Sequence, residues 1–234
     1  MPLLLWNAFL ISFTALLPLI NPLGSALVLM GLVGEAPPPV YRSLARKVAL
    51  NNIAFLAVIE LLGSAILNFF GISLPIVQVS GGIVIASIGW SVLNDKDTDS
   101  NTTRDKQGAS AIDPEQTLRS LQQKAFYPFT FPVTSGPGTL VVMLTLSARF
   151  SGGKLTPNIV GHLGLFLAVV LLSILVFVCY AYAPRIKAAV APTTIHGILR
   201  IVAFILICIG VQIAWNGLTV LLNSVLHHAT PLGS

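Results

Sequence analysis

Two long apolar runs in this chain are interrupted by proline and glycine at corresponding places. One reads Leu17-Pro18-Leu19-Ile20-Asn21-Pro22-Leu23-Gly24-Ser25 and the other Phe131-Pro132-Val133-Thr134-Ser135-Gly136-Pro137-Gly138-Thr139. Proline removes a backbone donor and crowds the preceding turn, so each run is expected to break or kink as a helix. In a bilayer core an unpaired backbone group costs several kcal/mol, and a break there needs a buried or wetted place to face. Interrupted segments at matching positions of two halves are the sequence pointer to a solute site between repeats.

Composition places these runs in lipid. Of 234 residues 55% are hydrophobic and 9% charged, and mean hydropathy is +0.86, which leaves too little polar surface for a soluble domain of this length. About 20 mostly apolar residues suffice for a transmembrane helix, and six candidates occur, at residues 3–33, 48–69, 74–93, 125–148, 159–183 and 195–226. Unbroken, the first would measure about 46 Å against a hydrocarbon core of about 30 Å. Asn21-Pro22-Leu23-Gly24 supplies the break. With no Lys or Arg before it and no small-residue cleavage site, this run is expected to stay as a span.

Six spans divide the 13 Lys and Arg unequally between two faces, Arg149 and Lys154 alone falling on one of them. The positive-inside rule then puts both termini on the outer, periplasmic side. The net charge of +5 is this topological bias, and it points to lipid head groups rather than nucleic acid. Cys179 and Cys208 lie inside apolar runs, with no metal spacing or disulfide framework. The Trp residues and Tyr127, Tyr180 and Tyr182 sit near span ends, as expected of an interfacial aromatic belt.

The charged stretch 94–124 separates residues 1–93 from 125–226, three spans on each side, and leaves 227–234 as a short periplasmic tail. Within it, Asp113-Pro114-Glu115 reads as the start of a short surface helix. An odd number of spans per half means that halves of like fold must insert in opposite senses. Phe55-Leu56-Ala57-Val58 matches Phe166-Leu167-Ala168-Val169, and Ile88-Gly89 matches Ile209-Gly210, in the same order. The expected fold is all-α and polytopic: six transmembrane helices in two inverted three-helix repeats, helices 1 and 4 broken.

The chain resembles the MarC-type integral membrane proteins, also described as neutral amino acid transporters, over nearly its whole length. The resemblance is carried by Leu17-Pro18-Leu19-Ile20-Asn21-Pro22, Phe70-Gly71-Ile72-Ser73-Leu74-Pro75, Gly81-Gly82 and Gly89 in the first half. In the second it is carried by Pro132, Thr134 to Thr139, Gly197-Ile198-Leu199-Arg200, Gly210-Val211-Gln212 and Asn216-Gly217. It implies six helices in the bacterial inner membrane and, for some members, ion-coupled movement of small neutral amino acids such as glycine and alanine. Glu60 lies outside these motifs.

After Asn21-Pro22 a second half-helix can start, Asn21 as N-cap and Pro22 at the first helical position; Ser135 and Pro137 offer the same device. Two such helix starts converging from opposite sides would hold a carboxylate. Ser25, Thr134, Thr139 and Asn21 could bond the rest of a small zwitterion, while Gly24, Gly136 and Gly138 would let it approach the backbone. Glu60, the carboxylate deepest in a span, is the proton-coupling candidate, or else a neutral partner within or between subunits. Arg200, on one helical face with His196, is a candidate gate or anion contact, or snorkels to the head groups. His162, His227 and His228 are expected near the outer face and solvated. No nucleophile–base pair, phosphate loop or metal motif is present, so no enzyme and no cofactor are expected. The reading is a secondary carrier by alternating access, coupled to protons or sodium, with a homo-oligomer left open. The rival is a membrane scaffold without flux.

Overall fold

The computed structural model describes residues 1–34, 36–94, 114–151, 155–185 and 192–228. All the elements described are helical: α1 (Pro2–Ile20), α2 (Pro22–Val33), α3 (Pro38–Phe69), α4 (Leu74–Asn94), α5 (Pro114–Gln123), a wide coil (Ala125–Thr134), α6 (Pro137–Phe150), α7 (Leu155–Ala181) and α8 (Pro192–His228). Residues 95–113 with Asp113 at their end, Lys154, Lys187 and the tail from 229 on, all used in the sequence argument, lie outside the described residues.

Among the described residues four helices are long and apolar enough to cross a membrane, Pro2–Met30, Leu74–Ser91, Pro157–Ala181 and Arg200–Leu226. The bent pair Ala125–Thr134 and Pro137–Phe150 makes a fifth when taken as one span. The chain is thus an all-α, polytopic membrane protein. The fourth sequence candidate, 125–148, is two pieces meeting at 71°. The second, 48–69, forms the apolar part of a longer helix that starts at Pro38.

Local chemistry sets the joints. α2 ends where Gly34 takes φ 73° and the Tyr41 hydroxyl donates to the Gly34 carbonyl at 2.6 Å. α3 ends at Phe70, and Gly71, at φ 65°, lets Ile72 N reach back to Leu67 O at 2.9 Å. α5, the short surface helix expected before the fourth span, docks Leu121 into the core and donates from Gln122 Nε2 to Ser43 Oγ at 3.2 Å.

Two antiparallel pairs organise the bundle, each joining a helix before the charged stretch to one after it. α4 and α8 meet along glycines seven residues apart. A Cβ at Gly82 would lie 2.5 Å from Gly210 O, and one at Gly210 2.6 Å from Gly82 O; Gly89 faces Ala203 O and Gly217 faces Pro75 O in the same way. Small residues are what let transmembrane backbones approach so closely. α3 and α7 form the second pair, with Asn52 opposite Ser173 and Glu60 opposite His162. α1, α2, α3, the wide coil, α6 and α7 share a core built around Leu16, Leu29, Leu56, Phe129, Met143 and Leu172.

Candidate functional site

At the first break Asn21 adopts left-handed geometry, φ 40° and ψ 71°, which an Asn tolerates better than most side chains. Asn21 N closes α1 onto Leu17 O at 2.9 Å, and Asn21 Oδ1 accepts from Gly24 N at 3.1 Å as the N-cap of α2. Pro22 occupies the first helical position, as its sequence position suggests. Ser25 N and Ser25 Oγ both donate to Asn21 O at 2.9 Å. This helix start is therefore filled by its own cap. The space beside Gly24 that a ligand was expected to use is taken by the Asn21 carboxamide.

The second break is built differently. Tyr127 and Phe131 are extended residues inside the wide coil, each followed by a cis proline, Pro128 and Pro132. Two residues after each proline a threonine turns its hydroxyl back five residues: Thr130 Oγ1 to Ala125 O at 2.8 Å and Thr134 Oγ1 to Phe129 O at 2.7 Å. Ser135 is not the cap expected of it. It is extended, and its hydroxyl donates to Asn52 Oδ1 on α3 at 2.6 Å. Gly136 is the N-cap of α6, Pro137 is at its first position, and no side chain caps this helix. One turn in, Thr139 is 1% exposed and its hydroxyl finds no partner within the protein, a distinction shared among the described residues only with Ser12 on α1. A Cβ at Gly138 would meet Ile85 of α4 at 2.6 Å and Leu19 of α1 at 3.1 Å, so helix packing rather than a ligand uses that glycine. Gly136 is the more open of the two.

Tyr180 joins the breaks. Its hydroxyl lies 2.7 Å from Thr134 Oγ1, with Ser25 nearby. Tyr180 is fully buried, not part of an interfacial belt, whereas Trp6, Trp90, Trp215 and Tyr127 are well exposed. Beside it Asn52, 0% exposed, donates from Nδ2 to Ser173 Oγ at 3.0 Å while accepting from Ser135. The predicted residues Ser25, Thr134 and Ser135 are thus brought into one buried polar layer across α2, α3, the wide coil and α7. Asn52 is a polar residue inside an apolar run, which the sequence alone shows; Tyr180 and Ser173 give no comparable signal.

Glu60 is 7% exposed and not isolated, as its Oε1 lies 3.2 Å from His162 Nδ1 on α7. His162 is therefore a partner of the buried carboxylate and not simply solvated. Arg200 is exposed on α8 and makes contacts of its own.

A cavity of about 570 Å³ lies between α1, α6 and α8, alongside the half-helix that follows the second break. Its polar lining is Thr14, Thr145, Arg149 and Gln212; the rest is aliphatic with Cys208. Gln78 Nε2 reaches Thr145 Oγ1 at 3.4 Å, and Arg149 forms no ion pair among the described residues. Of this lining Gln212 is a polar residue deep in an apolar run, whereas Thr14, Thr145 and Arg149 become its neighbours only through packing. No group of three metal-ligating side chains occurs among the described residues.

Comparison with known proteins agrees over almost the full length. The family described as MarC family integral membrane protein matches residues 6–222. The UPF0056 inner membrane protein MarC of Salmonella paratyphi A is 28% identical over 218 residues, covering 91% of this chain and 95% of the relative. The protein of the same name from Citrobacter koseri is 27% identical over 216 residues, with the same coverage. That of Escherichia coli O1:K1 / APEC is 26% identical over 216 residues, covering 92% and 95%. No solved structure matches.

Proposed function

Because the chain belongs to the MarC family of integral membrane proteins and its relatives are inner membrane proteins, we propose that it is a secondary carrier of small neutral amino acids or similar zwitterions in the bacterial inner membrane. It works by alternating access and is driven by a proton or sodium gradient. The observation that carries this reading is the start of α6. A transmembrane half-helix begins there without a side-chain cap, and the Thr139 hydroxyl beside it is buried with no partner. A solute carboxylate at this helix end would meet the Gly138 amide and the Thr139 hydroxyl, the amides of Thr139 and Leu140 being engaged by Gly136 O. Gly136 gives it room, and Thr134, Ser135 and Tyr180 form the wall behind. On the α2 side Asn21, Pro22, Gly24 and Ser25 hold the facing helix in place and complete the proposed site.

The cavity between α1, α6 and α8 is the proposed approach, with Arg149 drawing the carboxylate in. Glu60 is the proposed proton-coupling group, and Arg200 a gate or anion contact on the opposite side. In this reading α3 is the remaining span, residues 1–93 and 125–226 are inverted repeats, and both termini are periplasmic. The α4–α8 seam supports the inverted relation, since the repeat that matches Gly89 to Gly210 exchanges the Gly89–Ala203 contact with the Gly210–Gly82 contact. Assembly into a homo-oligomer is compatible with it.

A scaffold without flux is favoured by one fact: Ser25, Thr134 and Ser135 are already satisfied inside the protein. Reconstitution into liposomes with labelled glycine, alanine and serine, under imposed proton and sodium gradients, separates the two. Saturable, gradient-driven accumulation is expected, and it should be abolished by Asn21→Ala or Gly136→Leu in protein that still inserts. Normal transport by both variants removes the broken-helix site; no flux with any solute leaves the scaffold.

A further inference from the structure

The carrier reading names Glu60 as its proton-coupling group but leaves open what shares the proton, how it arrives and what responds to it. Glu60 is surrounded by a short polar chain that leads outward along α6. Glu60 Oε1 lies 3.2 Å from His162 Nδ1, and the other ring nitrogen of His162 lies 3.2 Å from Ser151 Oγ, at the exposed C-terminal cap of α6. Side-chain exposure rises along this chain, from 5% at Glu60 to 31% at His162, before reaching the exposed Ser151.

Glu60 and His162 both touch the end of α6, Glu60 through its backbone carbonyl and His162 through Ser151. Ser147 Oγ donates to Glu60 O at 3.1 Å, and Ser151 Oγ donates to Ser147 O at 2.8 Å. The Phe150 ring stands edge-on to the His162 ring at 6.4 Å and fills the space beside Gly161. α6 therefore has the break at one end and the Glu60–His162 pair at the other.

We propose that Glu60 and His162 form a proton-binding site, reached from the outer side past Ser151, whose occupancy sets the position of α6. This rests on the carrier reading only for its purpose; the proton site itself can be tested without any solute. Among the described residues the surroundings contain no rival group. On α7 Cys179 and Tyr180 lie at the far end. On α6 Arg149 is the one charged residue and forms no ion pair with Glu60. The wide coil contributes Tyr127, which is exposed, and Arg119 and Lys124 sit at the opposite end of α3 with Arg42, Arg46 and Lys47. A carboxylate and an imidazole sharing a proton in a membrane interior is the arrangement used for proton relays, because each can hold the proton the other releases.

The test is an infrared pH titration of the purified full chain in nanodiscs, following the protonated-carboxyl stretch. A titrating band is expected that is absent in Glu60→Gln and whose midpoint moves at least threefold in proton concentration in His162→Gln. A nitroxide on Arg149→Cys, with Cys179→Ala and Cys208→Ala to leave one thiol, should change mobility with the same midpoint, and stay flat when Glu60→Gln is added. A band that survives Glu60→Gln, a midpoint indifferent to His162→Gln, or a spin label indifferent to pH overturns the proposal. If the titration behaves as expected while no solute drives proton flux in liposomes, the carrier reading fails and the proton site stands.

Discussion

Replacing Asn52 by alanine isolates what holds the second break in shape. Asn52 is fully buried and makes two side-chain hydrogen bonds, to Ser173 and from Ser135. In membrane proteins such bonds contribute about 0.6 kcal/mol on average and at most about 1.7 kcal/mol. Two of them give Asn52→Ala a cost of about 1 to 3 kcal/mol, a roughly 5- to 150-fold change in the unfolding equilibrium. The two orphaned hydroxyls differ. Ser173 sits within α7 and can turn back to a carbonyl of its own helix. Ser135 is extended, at φ −126° and ψ 92°, and has no such refuge. Ser135→Ala should therefore destabilise the native protein but be neutral or stabilising in the Asn52→Ala background, since it then removes an unpaired buried hydroxyl. Unfolding by SDS titration in mixed micelles reads all four corners of this cycle. A coupling of about 1 kcal/mol is expected; additivity within about 0.3 kcal/mol would refute the claim that Asn52 pins the break through Ser135.

The glycine seam makes a steric prediction. Gly82→Val should lower stability by roughly 1–3 kcal/mol in the same assay, because even its Cβ would press on two backbone atoms of α8, whereas Gly197→Ala, with no atom within 4 Å of the new Cβ, should be neutral or stabilising. A further comparison concerns Asn21. Asn21→Gly keeps the left-handed turn and should retain measurable labelled-alanine uptake, while Asn21→Ala loses both the turn preference and the cap and should not. Equal uptake by the two would show that the backbone turn is not what matters.

The break at Asn21 was legible because cap, proline and glycine lie within four residues, and local chemistry decides the geometry. The break near Ser135 was legible as a place but not as a shape. Its serine is claimed by Asn52, more than 80 positions away in the chain, and no local rule anticipates that partner. Glu60 showed itself by its depth in an apolar run. His162 did not, since a histidine seven residues into α7 reads as interfacial until α3 is laid beside it. The cavity residues Thr14, Thr145 and Arg149 come from α1 and α6, and only tertiary packing makes them neighbours.

The pairing of α4 with α8 bears on how such a molecule can move. These two are fastened backbone to backbone, and each takes one member from either half of the sequence, so neither half can swing as a separate lobe. The looser boundary runs between this fastened couple and the bundle of α1, α3 and α7, and the 570 Å³ hollow opens along it, walled by α1 and α6 on one side and α8 on the other. Any rocking that exposes the hollow first to one compartment and then to the other has to slide along that boundary, with the α4–α8 couple travelling as a single plank.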